Sequence, residues 1–285
     1  MKEKKVLTNF FVGGAPKAGT TSLWEYLSQH PNIYMGEEKE IYFFTHKWKK
    51  GIKWYNKKYK NYKGEKAVGD GSINMIVSED APIRVKKLIK DPKIIFLVRD
   101  PIERLLSVYK FDVMRGDKRA VDTTFNGFVK KIKKSENSWE MKMGLYSRNI
   151  KRYEKVLGES NVKTIIFENF ISNTSEVTKN VYEFLGVDRS FTPNFDVFSK
   201  SGSGKNSSAV RFAYRVKDAI EGVTGKSITS GVTSWVKETL KETTGSEPEV
   251  SDDMEEFLID YYSSDVQSLQ EHLGRDLSHW LNGSY

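Results

Sequence analysis

The residues with the clearest chemical potential lie in FFVGGAPKAGTTSL, residues 10–23. A short apolar run leads into a turn rich in Gly and Pro, then into the start of an amphipathic helix. That order aims the backbone N–H groups of residues 17–22 out of a helix N-terminus, where unpaired amides and the positive end of the helix dipole attract an anion. The anion-binding set is Pro16, Lys17, Ala18, Gly19, Thr20, Thr21 and Ser22, with Lys17 as a mobile cation and Thr20 and Thr21 as hydroxyl donors. The chemistry expected here is the binding of a phosphorylated nucleotide or a similar anion. Gly14 and Gly19 keep the gap of a GxxxxGK[ST] loop, but Thr20 follows Gly19 where that loop has lysine, and the lysine has moved inside, to Lys17. The shift points to a different anion and removes the best reason to expect a metal. The loop alone also fits a plain strand–turn–helix junction with incidental glycines.

A second segment, KIIFLVRDPIERLLSVY at residues 93–109, adds a site for another phosphate. Residues 94–98 are the continuous apolar run of a strand buried on both faces of a parallel sheet. Arg99 sits where that strand ends, Asp100 can cap the next helix, Pro101 suits its first turn, and Ser107 lies two turns in. A strand-end Arg and a helix Ser can converge on one anion.

The elements that must position these residues alternate. Strands are expected at residues 9–13, 67–70, 94–98 and 162–167. Helices are expected at residues 20–29 and 82–90, from the Asp100 cap to about Met114, and at residues 145–157 and 177–185, the last ended by Gly186. This βα alternation predicts an α/β fold, a central parallel sheet in three layers with helices on both faces and a P-loop-like phosphate-binding loop. Ligands in such sheets bind beyond the C-terminal strand ends. Gly14, Asp70 and Arg99 all fall at or just after such ends, and Asp70 is expected to line the pocket.

PKAGTTSL resembles the 5′-phosphosulfate loop of sulfotransferases that use 3′-phosphoadenosine 5′-phosphosulfate (PAPS), and LVRDPIERLLSVY resembles their 3′-phosphate motif. KEIYFF at residues 39–44 is similar to the KExxFF segment of the heparan-sulfate-type branch. GIKWY at residues 51–55, GDGS at residues 69–72 and the ending LGRDLSHWL also look like landmarks of the family and its bacterial members. The resemblance implies an in-line transfer of a sulfuryl group from PAPS to an acceptor hydroxyl on a carbohydrate, releasing 3′-phosphoadenosine 5′-phosphate, with no metal. It implies Glu40 as general base, Lys17 against charge developing on the bridging oxygen, Thr20 and Thr21 on the 5′-phosphate, and Arg99 and Ser107 on the 3′-phosphate. Lys39 is a candidate to orient Glu40 or touch the sulfate. Within the Ser/Gly-rich residues 199–208, SKSGSGKNSS, Lys205 is a candidate cofactor contact. Of the four histidines, His46 alone lies near KEIYFF and is the rival base; a surface or capping role is the plainer reading of it.

Composition bounds the rest. The 285 residues suit one α/β domain, taken as 1–285 with a variable segment at about 197–250. There is no cysteine, which excludes disulfides and Cys–zinc sites. The N-terminal apolar run is too short for a signal peptide, and no stretch has the length of a membrane span, so a soluble cytoplasmic protein is expected. The net charge of +8 favours anionic partners without naming one. Residues 46–66 interleave nine lysines with Trp48, Trp54, Tyr55, Tyr59 and Tyr62. That pattern can bind single-stranded nucleic acid or acidic sugars. The bland alternative is a solvated face with inward-packed aromatics, and no nucleic acid is expected. The rivals to a sulfotransferase are a P-loop nucleotide kinase, which would need magnesium and ATP, and a non-catalytic polyanion-binding module. Oligomeric state is not readable.

Overall fold

The computed structural model describes residues 7–135, 138–195, 248–282 and 285. Apolar runs at β1 (Phe10–Gly14), β2 (Ile33–Tyr34), β3 (Ala67–Asp70), β4 (Lys93–Val98) and β5 (Val162–Ile166) pair into a five-stranded sheet of order β2-β3-β1-β4-β5. Every pairing is parallel, with Phe11 opposite both Asp70 and Ile94, and Ile94 opposite Val162. β1 is buried throughout, as are Ile94, Ile95, Phe96, Leu97 and Val98 of β4. Burying each such large side chain stabilises the fold by about 1.5–3 kcal/mol as an upper estimate, and the two central strands therefore anchor the molecule.

The chain leaves β1 to build β2 and β3 on one side, then crosses back to place β4 on the other. β1 is thus where strand order reverses, the position at which such sheets bind ligands. The flanking helices are α1 (Thr20–Ser28), α2 (Gly51–Asn56), α3 (Ala81–Leu88), α4 (Pro101–Met114), α5 (Lys118–Val121), α6 (Phe125–Lys133), α7 (Trp139–Lys142), α8 (Tyr146–Leu157), α9 (Phe167–Ser172), α10 (Thr174–Leu185) and α11 (Asp252–Leu273). The expected α/β fold with a parallel central sheet is what the chain adopts. Boundaries shift by one to three residues. Phe167, read as the end of the last strand, instead opens α9, and the helix read from residue 177 begins at Thr174.

Capping explains where the site-bearing helix starts. Asp100 accepts hydrogen bonds from the Ile102 and Glu103 amides at 2.8 and 3.1 Å, and Pro101 occupies the first turn of α4. α8 has no cap of its own. Asp265 of α11 supplies one, accepting from the Ser147 and Arg148 amides at 2.9 Å each. No described helix is long and apolar enough to cross a membrane.

Candidate active site

The loop after β1 is fixed by its backbone. Gly14 has φ 138°, and a Cβ there would lie 2.6 Å from the Ile73 carbonyl oxygen, so only glycine fits. The Ala15 amide donates to the Leu97 carbonyl at 2.7 Å, tying the loop to β4. Lys17 holds φ 67°, a left-handed conformation that non-glycine residues adopt at a cost. Gly19, at φ 87°, is the N-cap of α1 and supplies no side chain, and the first turn carries no acidic residue. The first amides of α1 thus face outward without a protein cap, unlike those of α4, α5, α6 and α7, which carry side-chain caps.

The loop opens into a cleft of about 1160 Å³. Pro16, Lys17, Gly19, Thr20, Thr21 and Ser22 line it, together with Glu40, Arg99 and Ser107, from three separate parts of the chain. Ala18 is buried beneath the loop and does not line the cleft. Lys205 lies outside the described residues. Lys17 Nζ sits 4.4 Å from the Phe111 ring centre, and burial, then the Arg99 charge, pushes its pKa down. Lys39, also in the lining, donates to Thr21 Oγ1 at 2.7 Å, and burial lowers its pKa too. Arg99 pairs with Glu103 Oε2 at 2.8 Å and its guanidinium lies 5.0 Å from the Phe167 ring centre. Three cations and an uncapped helix N-terminus therefore converge on one end of the cleft.

Glu40 faces them. Its carboxylate accepts a hydrogen bond from the Tyr42 hydroxyl. Both residues hold positive φ, 41° and 60°. The segment is clamped from below: the Tyr42 amide donates to Ser72 Oγ at 2.8 Å, and Ser72 Oγ donates to Asp70 Oδ1 at 2.6 Å. Backbone strain of this kind persists only where surrounding contacts enforce it. Asp70 corrects the sequence reading. It does not line the cleft but is fully buried under it, where Tyr55 also donates to it at 2.8 Å, and burial raises its pKa to about 6.

The histidines separate cleanly. His30 is buried, bonded to the Asp188 carbonyl and the Asn32 amide. His272 pairs with Glu154 at 2.8 Å. His46 does line the cleft; its ring lies 4.9 Å from that of Tyr42 and within 3.3 Å of Asn74 Nδ2. In the Lys/aromatic span, Tyr55 and Tyr59 are buried, and Phe43 stacks on Tyr55 with ring centres 4.4 Å apart. Trp54, partly buried, packs against this core. Sequence reasoning missed the far part of the lining, notably Phe111, Asp112, Arg115, Asn74 and Arg84. The α4 members were findable, because they follow Ser107 at helical spacing. Trp139 and Met143 line the cleft as well. Among the described residues no group of three or more His, Asp or Glu is placed to hold a metal ion.

Residues 7–244 match the family model described as "Sulfotransferase domain". The chain belongs to the sulfotransferase domain family. A solved sulfotransferase from Alicyclobacillus acidocaldarius shares its fold with a TM-score of 0.71 and 26% identity, over 96% of this chain and 98% of that one. Human heparan sulfate glucosamine 3-O-sulfotransferase 3B1 is 26% identical over 69% of this chain. The membrane-associated sulfotransferase kil1 of Dictyostelium discoideum is 38% identical over 38% of it. The chain spans 50% of the length of the human relative and 23% of that of the Dictyostelium protein. The cleft thus brings Lys17, Lys39 and Arg99 together with the Glu40 carboxylate.

Proposed function

We propose that this sulfotransferase domain transfers a sulfuryl group from PAPS to a hydroxyl of a carbohydrate acceptor, with Glu40 as general base. The observation that carries the reading is that the uncapped α1 N-terminus, Lys17, Lys39, Arg99 and Glu40 all line one cleft. The donor set fits a doubly phosphorylated nucleotide. The loop amides, Thr20, Thr21 and Ser22 make one anion site, and Arg99 with Ser107 makes a second at the end of β4. PAPS, when bound, supplies the sulfuryl group and leaves as 3′-phosphoadenosine 5′-phosphate.

The remaining work falls to the chain. The α1 amides and hydroxyl donors hold the 5′-phosphate against its attackable neighbour. Lys17 and Lys39, half-buried and disfavoured as cations by that burial, gain from an anion between them and neutralise negative charge where the breaking S–O bond leaves it. Glu40 accepts the proton of the attacking hydroxyl, held in place by Tyr42. The names of the heparan sulfate relatives support a saccharide acceptor.

Calorimetric titration tests this. The protein is expected to bind 3′,5′-ADP without metal and much more tightly than 5′-AMP. Arg99→Ala should weaken 3′,5′-ADP far more than 5′-AMP. Equal losses would remove Arg99 from the 3′-phosphate, and a preference for ATP with magnesium would replace this reading with a phosphotransferase.

A further inference from the structure

Beyond Glu40 the cleft changes character. On α4, Ser107, Val108, Phe111 and Asp112 line it, as does Arg115 just past the helix end. Eight residues at 1.5 Å rise put Arg115 about 12 Å along the helix from Ser107. Lys17 lies over Phe111, midway along this face. The half from Phe111 to Arg115, faced by the residues that follow Glu40, is the part left for an acceptor.

The charges of that half cancel. Arg84 pairs with Asp80 at 2.6 Å and spends a further nitrogen on the Thr45 carbonyl at 2.6 Å. Arg115 pairs with Asp112 at 3.0 Å and with Asp117 at 3.0 Å. Asp112 is buried. Each lining cation there has a lining carboxylate of its own. At the donor end, by contrast, Lys17 and Lys39 have no carboxylate ion pair among the described residues. Within the lysine-rich span, Lys57, Lys58 and Lys60 line a separate concavity, where Lys58 pairs with Glu38 and Lys60 with Glu37.

The walls of the acceptor half are apolar instead: Ile73, Val77, Val108, Phe111, Trp139 and Met143. Trp139 is 44% exposed and opens onto the cleft, an unusual position for an indole without a partner surface. The polar groups are few and linked, with Thr45 donating to Asn74 Oδ1 at 3.2 Å and Asn74 beside His46 at 3.3 Å. Apolar walls with a small polar cluster are how proteins hold and orient an uncharged, partly apolar molecule. A polyanion needs unpaired cations, and among the described residues of this half it would have to break two ion pairs to find them.

Resting on the sulfotransferase reading above, we propose that the acceptor is an uncharged amphiphilic alcohol, a neutral glycoside carrying an apolar group, and not a polyanionic glycan. Trp139 would take the apolar group and the ring face, and the Asn74–His46–Thr45 cluster the hydroxyls.

The test uses the full chain with 3′,5′-ADP present, titrated calorimetrically with octyl glucoside below its micelle concentration, with glucose, and with heparan sulfate, and then assayed for transfer from labelled PAPS to each. Octyl glucoside is expected to bind at least tenfold more tightly than glucose, with little change between low and high salt, and to be sulfated. Trp139→Ala should weaken octyl glucoside at least tenfold and leave 3′,5′-ADP affinity unchanged. Heparan sulfate binding that collapses with salt, accompanied by its sulfation, would overturn the proposal while leaving the donor reading intact. So would 3′,5′-ADP binding with no gain from the alkyl chain. Failure to bind 3′,5′-ADP at all would remove the donor reading, and the acceptor assignment with it.

Discussion

At the scale of single residues the proposed chemistry rests on one carboxylate. Glu40 lines the cleft together with Lys17 and Lys39 and accepts a hydrogen bond from the Tyr42 hydroxyl. A general base of this type contributes about 10²–10⁴ in rate. Glu40→Gln keeps the shape and the hydrogen bond from Tyr42 but cannot take a proton. Turnover with labelled PAPS is expected to fall by about two to four orders of magnitude, while 3′,5′-ADP affinity stays within a few-fold, since the proposal gives the nucleotide to the loop and Arg99. His46→Ala is the control: His46 lines the cleft against the Tyr42 ring, and its loss should cost far less. If His46→Ala abolishes turnover and Glu40→Gln does not, the base is His46.

At the scale of elements, Asp265 makes the sharpest case. α8 starts without a cap from its own sequence, and the carboxylate of α11 takes two of its first amides at 2.9 Å. Loss of a helix cap costs about 0.5–2 kcal/mol, and this one also joins two helices. Asp265→Ala should therefore lower unfolding stability in urea by about 1–2 kcal/mol without altering 3′,5′-ADP affinity, because Asp265 does not line the cleft. A change of only a few tenths would mean that water satisfies those amides equally well. Contacts of this kind mark the limit of what the sequence discloses. β1, β3, β4 and the caps at Asp100 and Gly186 were legible, because continuous apolar runs and capping residues act locally. β2, with two residues, and α5 and α7, with four each, are too short to carry a period. α11 does carry one, in buried Met254, Leu258, Tyr262, Val266 and Leu269, blurred by the polar and aromatic residues between them. Nothing in the sequence pairs Asp265 with Ser147, or Tyr42 with Glu40. Both pairings come from packing, not from spacing.

At the scale of the whole molecule, Asp70 links the site to the fold. It takes hydrogen bonds from Tyr55 of α2 and from Ser72, which in turn holds the Tyr42 amide beneath Glu40. GDGS looks like a pocket edge in the sequence because its partners are set by the fold. In fact Asp70 is fully buried. Burial outweighs its two hydroxyl donors and raises its pKa from 3.8 to about 6. The native chain therefore holds this proton more tightly than the unfolded chain does. The stabilisation is fully present below pH 3.8 and is lost as the pH rises through about 6. A rise of this size corresponds to about 3 kcal/mol at 1.36 kcal/mol per unit. Asp100, raised to about 6 chiefly by burial, acts in the same direction, so total stability against pH would mix the two. A difference measurement isolates Asp70. Asp70→Asn cannot ionise, so its urea stability relative to the parent should climb between pH 4 and pH 6 by up to about 3 kcal/mol and level off above that. Any constant cost of the amide cancels in that slope. A flat difference would show that ionising Asp70 costs the fold nothing. A difference that falls with pH would show that the Tyr55 and Ser72 hydrogen bonds outweigh burial, leaving Asp70 as a charged clamp under the catalytic segment.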